Sequence, residues 1–108
     1  MHLGEKFYAR EELEQAGFAS LGENVLIKRN CGLFFTENMH IGSNVRIDDF
    51  TIIVASGFCR IGDYVHITAY NYLAASDGIT LSDFCTTAPG VKIFSGSDDY
   101  TGEKMTNP

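Results

Sequence analysis

Histidine is the side chain best suited to move a proton near neutral pH, and the chain has three, His2, His40 and His66. His66 is the candidate general base. It stands between Val65 and Ile67. If those two aliphatics face a core, strand alternation turns the imidazole outward from a rigid element. A base so mounted can accept a proton from a hydroxyl or amine nucleophile. The plainer reading of His66 is a surface histidine without a role. His2 lies at the terminus, and His40 reads as an outward residue with little to mark it. Carboxylates occur as adjacent pairs at Asp48-Asp49 and Asp98-Asp99. A lone carboxylate titrating near ~4 is a feeble base toward an alcohol at neutral pH. It serves better by accepting hydrogen bonds from a ligand's hydroxyls or by orienting a histidine. Asp98 and Asp99 are therefore candidate substrate-binding residues rather than bases. Tyr70 and Tyr100 join them, because a tyrosine ring stacks on a ligand and its hydroxyl hydrogen-bonds to one. Both aspartate pairs also read as ordinary turn residues.

These side chains need a frame, and an internal repeat supplies it. Four segments align end to end: LGENVLIKRNCGLFFTENMH, IGSNVRIDDFTIIVASGFCR, IGDYVHITAYNYLAASDGIT and LSDFCTTAPGVKIFSGSDDY, starting 20 residues apart at 21, 41, 61 and 81. The fifth position reads Val25, Val45, Val65, Cys85, the seventh Ile27, Ile47, Ile67, Thr87, and the thirteenth Leu33, Ile53, Leu73, Ile93. Met39, Cys59 and Ile79 stand two residues before the next opening aliphatic. Apolar residues thus come as i, i+2 pairs, which is strand periodicity with both members on one face. Three short strands per unit make one coil of a triangular prism. No coil buries its own apolar face, so stability must come from stacking. Asn71 takes an inward slot between Thr51 and Val91, where backbone groups or a neighbouring hydroxyl must satisfy it. Pro89-Gly90 reads as a corner.

The N-terminal YAREELEQAGF reads as a short helix that ends at Gly17 and lids one end of the prism with Leu13, Ala16 and Phe18. The boundaries expected are residues 1–20 for this extension, 21–94 for the coils and 95–108 for a loop or tail. An outer apolar stripe of Phe34, Ile52, Val54, Tyr72 and Phe94 should not stay wet, and it is the expected interface of a self-assembly.

Composition narrows the functional classes. The chain has 108 residues, enough for one small domain, with 44% hydrophobic and 20% charged residues. A formal net charge of -6 argues against non-specific nucleic-acid or anionic-membrane binding. No apolar run is long enough to span a membrane, and the opening MHLGEKFYAR lacks a secretion-signal core. Three cysteines, Cys31, Cys59 and Cys85, form no CxxC pair, which suits free thiols in the cytoplasm and neither a disulfide scaffold nor a zinc site. No metal is expected.

IGSNVRIDDF, IGDYVHITAY and LSDFCTTAPGVKIFSGSDDYTGEKMTNP resemble the hexapeptide-repeat acyltransferases. They are most similar to bacterial sugar O- and N-acetyltransferases that act on O-antigen or capsule precursors. The resemblance covers about residues 21–108. It implies an all-β fold, a left-handed parallel β-helix of about four 20-residue coils. It also implies a homotrimer, with acetyl-CoA as co-substrate and a sugar or nucleotide-sugar as acceptor; an open final coil would let such trimers stack end to end. The left hand comes from the resemblance alone, since general crossover rules favour the right. Many members carry their base after the segment matching VKIFSGS, a slot that here holds Asp98, which moves attention to His66. The family also continues for several coils past the TNP, so the chain is expected to be shortened relative to it. Two activities follow from that: acetyl transfer to a sugar hydroxyl or amine, or a trimeric β-helix that binds without turnover. A zinc carbonic-anhydrase β-helix is a poor third, since it needs three convergent histidines.

Overall fold

The computed structural model describes residues 6–96. A short helix, α1 (Arg10–Glu14), precedes four coils. The first coil carries β1 (Ser20–Leu21), β2 (Val25–Ile27) and β3 (Gly32–Phe34), and the second β4 (Met39–Ile41), β5 (Val45–Ile47) and β6 (Ile52–Val54). The third carries β7 (Cys59–Ile61), β8 (His66–Ile67) and β9 (Tyr72–Ala75), and the fourth β10 (Ile79–Leu81) and β11 (Lys92–Ser95). They form three parallel sheets, ordered β1-β4-β7-β10, β2-β5-β8 and β3-β6-β9-β11. Partners are one repeat apart, as in Val25 with Val45, Arg46 with His66, and Ile53 with Leu73. The architecture is a parallel β-helix of the left-handed class.

The i, i+2 aliphatics fill the prism. Ile27, Ile47 and Ile67 stack fully buried on one side, Ile53 and Leu73 on a second, Met39 and Cys59 on the third. Each such side chain contributes roughly 1.5–3 kcal/mol of transfer free energy, offset by the entropy of ordering the chain. Side chains between these pairs point outward, which is how β8 presents His66.

The corners explain the Gly residues that open three units. A Cβ on Gly22 would lie 2.5 Å from the backbone of Gly42, and one on Gly42 would lie 2.5 Å from Gly62 O. Adjacent coils approach too closely there for any side chain. The next residue ties the same corner from coil to coil: Ser43 N–H donates to Asp63 Oδ1 at 2.8 Å, and Asp63 N–H donates to Asp83 Oδ1 at 2.8 Å. Left-handed backbone turns the chain through Asn24, Asn44, Tyr64 and Phe84 at one corner, through Phe50, Tyr70 and Gly90 at another, and through Phe35 and Gly78 at the third. The third corner of each coil carries the extra residues of the 20-residue repeat, including the 3-10 turn Thr36–Asn38.

Three details differ from the sequence pattern. The fourth coil has no strand beside β8, only a single bridge from His66 to Thr86. Thr87 replaces the aliphatic of earlier coils, and its Oγ1 instead accepts from Thr68 N–H at 3.1 Å. The helix is also shorter than YAREELEQAGF, ending at Glu14, with Gly17 in a left-handed turn after it. Ala9 offers no side-chain cap, so Glu12 Oε1 accepts from Ala9 N–H at 2.8 Å. Leu13 is the buried residue of α1. Asn71 is satisfied on one side only: Nδ2 donates to the carbonyls of Ala69 and Ala88, while Oδ1 is buried without a partner among the described residues.

Candidate active site

His66 and Asp48 come together although they sit on different coils. Strand pairing lays His66 beside Arg46, two residues before Asp48. The corner after β5 then brings Asp48 Oδ2 to 2.7 Å from His66 Nε2. Arg46 Nε donates to the other oxygen, Oδ1, also at 2.7 Å. The carboxylate is thus shared between a guanidinium and an imidazole, with 18% of its side chain exposed against 42% for His66. Partial burial pushes the Asp48 carboxyl up, but hydrogen bonds from Arg46 and His66 outweigh it and hold the group below its ordinary value. Asp48 is therefore anionic at neutral pH. Together these side chains can hold and move a proton beside solvent, which is what acyl transfer to an amine or hydroxyl requires.

The surrounding face is basic and aromatic toward the lid. Lys28 is buried, with Nζ 3.9 Å from Asp49 Oδ1 and 4.7 Å from the centre of the Phe7 ring. The Arg46 guanidinium lies 5.3 Å from the same ring. Phe7 reaches this position through an antiparallel bridge to Lys28.

Of the other sequence candidates, Tyr70 stands at the corner beyond β8, 63% exposed, stacked on Phe50 at 5.3 Å between ring centres. Asp98, Asp99 and Tyr100 lie outside the described residues. His40 is on a different sheet, in a polar groove of about 190 Å³ with Ser20, Arg60, Asp63 and Asp83. Its Nδ1 lies 3.2 Å from Ser20 Oγ. The stripe named for assembly lies on the β3-β6-β9-β11 sheet. Phe34, Ile52 and Phe94 are exposed there, and Val54 and Tyr72 half-buried. Asp48 as the partner of His66 was not singled out in the sequence. The signal was present: the register pairs position 6 of one coil with position 6 of the next, which leaves the outward position 8 as its diagonal neighbour on the same face.

No family model matches the chain. It is 39% identical over 98 residues to the dTDP-4-amino-4,6-dideoxy-D-glucose acyltransferase of Escherichia coli, covering 90% of this chain and 51% of that protein. It is also similar to AntD, an N-acyltransferase from Bacillus cereus. A structure of a variant with dTDP-4-amino-4,6-dideoxyglucose and coenzyme A matches with TM-score 0.84 and 38% identity, over 99% of this chain and 56% of AntD. A structure of AntD with dTDP and 3-hydroxybutyryl-CoA matches with TM-score 0.82 and 40% identity, over 94% and 54% of the two chains. The chain spans about half the length of the relatives it matches.

Proposed function

The chain belongs to the hexapeptide-repeat β-helix acyltransferases, and on that premise we propose that it acylates the amine of a dTDP-linked amino-deoxysugar, with an acyl-CoA as donor. The relatives' names support an amine over a hydroxyl acceptor, and the proton-handling pair on the β2-β5-β8 face suits such a nucleophile. The observation that carries the reading is the Asp48–His66 contact on a fold whose relatives bind a nucleotide-sugar and coenzyme A. In the reaction the amine nitrogen attacks the thioester carbonyl carbon. The C–N bond forms, the C–S bond breaks, His66 takes the proton that the amine gives up, and that proton passes to the departing thiolate. The sugar–amide and free coenzyme A are the products. The acyl group need not be acetyl, since AntD was solved with a 3-hydroxybutyryl donor.

Asp98, Asp99, Tyr70 and Tyr100 are proposed to bind the sugar, Tyr70 through its exposed ring. The stripe of Phe34, Ile52, Val54, Tyr72 and Phe94 is proposed to pack against copies of the chain in a homotrimer, whose stacking buries the exposed rings. No helix among the described residues is long and apolar enough to cross a membrane. The free thiols of Cys31, Cys59 and Cys85 suit a cytoplasmic setting.

Calorimetry tests the substrate assignment. Titration with dTDP-4-amino-4,6-dideoxyglucose and with an acyl-CoA should each give saturable heat. Silence from both ligands at millimolar concentration favours a β-helix that assembles without turnover.

A further inference from the structure

We propose that Arg46 and Asp48 are positioning residues that lock His66 in the tautomer with its proton on Nε2, so that Nδ1 is the atom that meets the acceptor amine. A guanidinium is always charged and can only donate, so Arg46 Nε–H occupies Asp48 Oδ1. A carboxylate can only accept, so Oδ2 at 2.7 Å from His66 Nε2 requires a hydrogen on that nitrogen. In neutral His66 this leaves the lone pair on Nδ1. Nδ1 has no hydrogen-bond partner among the described residues, and the side chain that carries it is 42% exposed.

Each part of the arrangement comes from a different place in the repeat. Strand pairing sets Arg46 alongside His66, and the corner after β5 turns Asp48 back toward the ring. Arg46 is held in turn over Phe7, whose bridge to Lys28 fastens the N-terminal segment to the same face. Two anchored hydrogen bonds on one carboxylate fix the direction of its second oxygen, and with it the ring. A histidine free on a strand would sample both tautomers and several ring orientations. A base needs one of each within hydrogen-bond reach of the amine.

The inference rests on His66 being the base, yet its decisive test needs no turnover. Long-range nitrogen–proton NMR spectra of the full chain report which ring nitrogen carries the proton. The expected result is a hydrogen-bonded Nε2–H proton in slow exchange and a bare Nδ1. A proton on Nδ1, or an Nε2 proton exchanging as freely as in a surface imidazole, overturns the proposal. In Asp48→Asn, an amide that donates to Nε2 should drive the proton to Nδ1. An unchanged tautomer in a folded Asp48→Asn chain overturns it as well. Where acyl transfer is measured, Asp48→Asn should lower kcat roughly 10- to 100-fold with KM unchanged. A loss confined to KM would make Asp48 a substrate-binding group instead. Failure of the acylation reading alone would leave the tautomer result standing.

Discussion

The β2-β5-β8 and β3-β6-β9-β11 faces of the prism share an interior and differ in their exteriors. Inside, both stack fully buried aliphatics, Ile27, Ile47 and Ile67 on one and Ile53 and Leu73 on the other. Outside, the first shows Leu26, Arg46, His66 and Thr86 in one row, where charge and hydrogen bonding dominate. The second shows Phe34, Val54, Ala74 and Phe94, with Ile52 and Tyr72 in the neighbouring row. One scaffold therefore carries two kinds of surface. The inward rows settle the fold, and the outward rows are free to differ, one charged and hydrogen-bonded and one apolar.

The largest effects should come from breaking what the faces share. Ile47→Ala and Ile53→Ala should each lower stability by about 2–5 kcal/mol in chemical denaturation, with little difference between the two faces. A much smaller loss on either would mean that its interior is not close-packed. Gly42→Ala places a Cβ 2.5 Å from Asp63 Oδ1 and Gly62 O, so a loss of about 1–3 kcal/mol is expected. Next come substitutions that separate the exteriors. Tyr72→Glu and Phe94→Glu should dissociate the assembly in light scattering and leave the monomer folded, whereas His66→Ala should leave the assembly intact. A wild-type monomer at micromolar concentration would remove the packing role from that stripe.

The smallest expected effect is electrostatic. Asp48 has a folded-state pKa below its unfolded value near ~3.9, so its contribution is present above that pH. It is lost as pH falls through the lower folded value. Its partners are partly exposed, so the contribution is at most about 1 kcal/mol. Asp48→Asn should flatten the acid limb of the stability–pH curve by that amount. An unaltered limb would show that the Arg46 and His66 hydrogen bonds do not hold in solution.

The interior was the legible part of the sequence. Val25, Ile27 and their counterparts recur every 20 residues because each must stack on the same position of the next coil. Any break in that spacing would expose a whole row. The outward position of His66 followed from the same alternation. Its partner did not stand out, because Asp48 belongs to the preceding coil and adjacent aspartates look like any turn. The buried Lys28 was hidden for a similar reason, since Phe7 covers it from outside the repeat. The fourth coil lost its strand beside β8 because Cys85 and Thr87 weaken the aliphatic pair there. The assignments to Asp98, Asp99 and Tyr100 concern positions outside the described residues.

The most direct test is acyl transfer itself, with dTDP-4-amino-4,6-dideoxyglucose and an acyl-CoA, comparing wild type and His66→Ala by mass spectrometry of the sugar product. The account predicts an N-acylated nucleotide-sugar, formed about 10²–10⁴ times more slowly by His66→Ala. Equal rates from the two chains would contradict it.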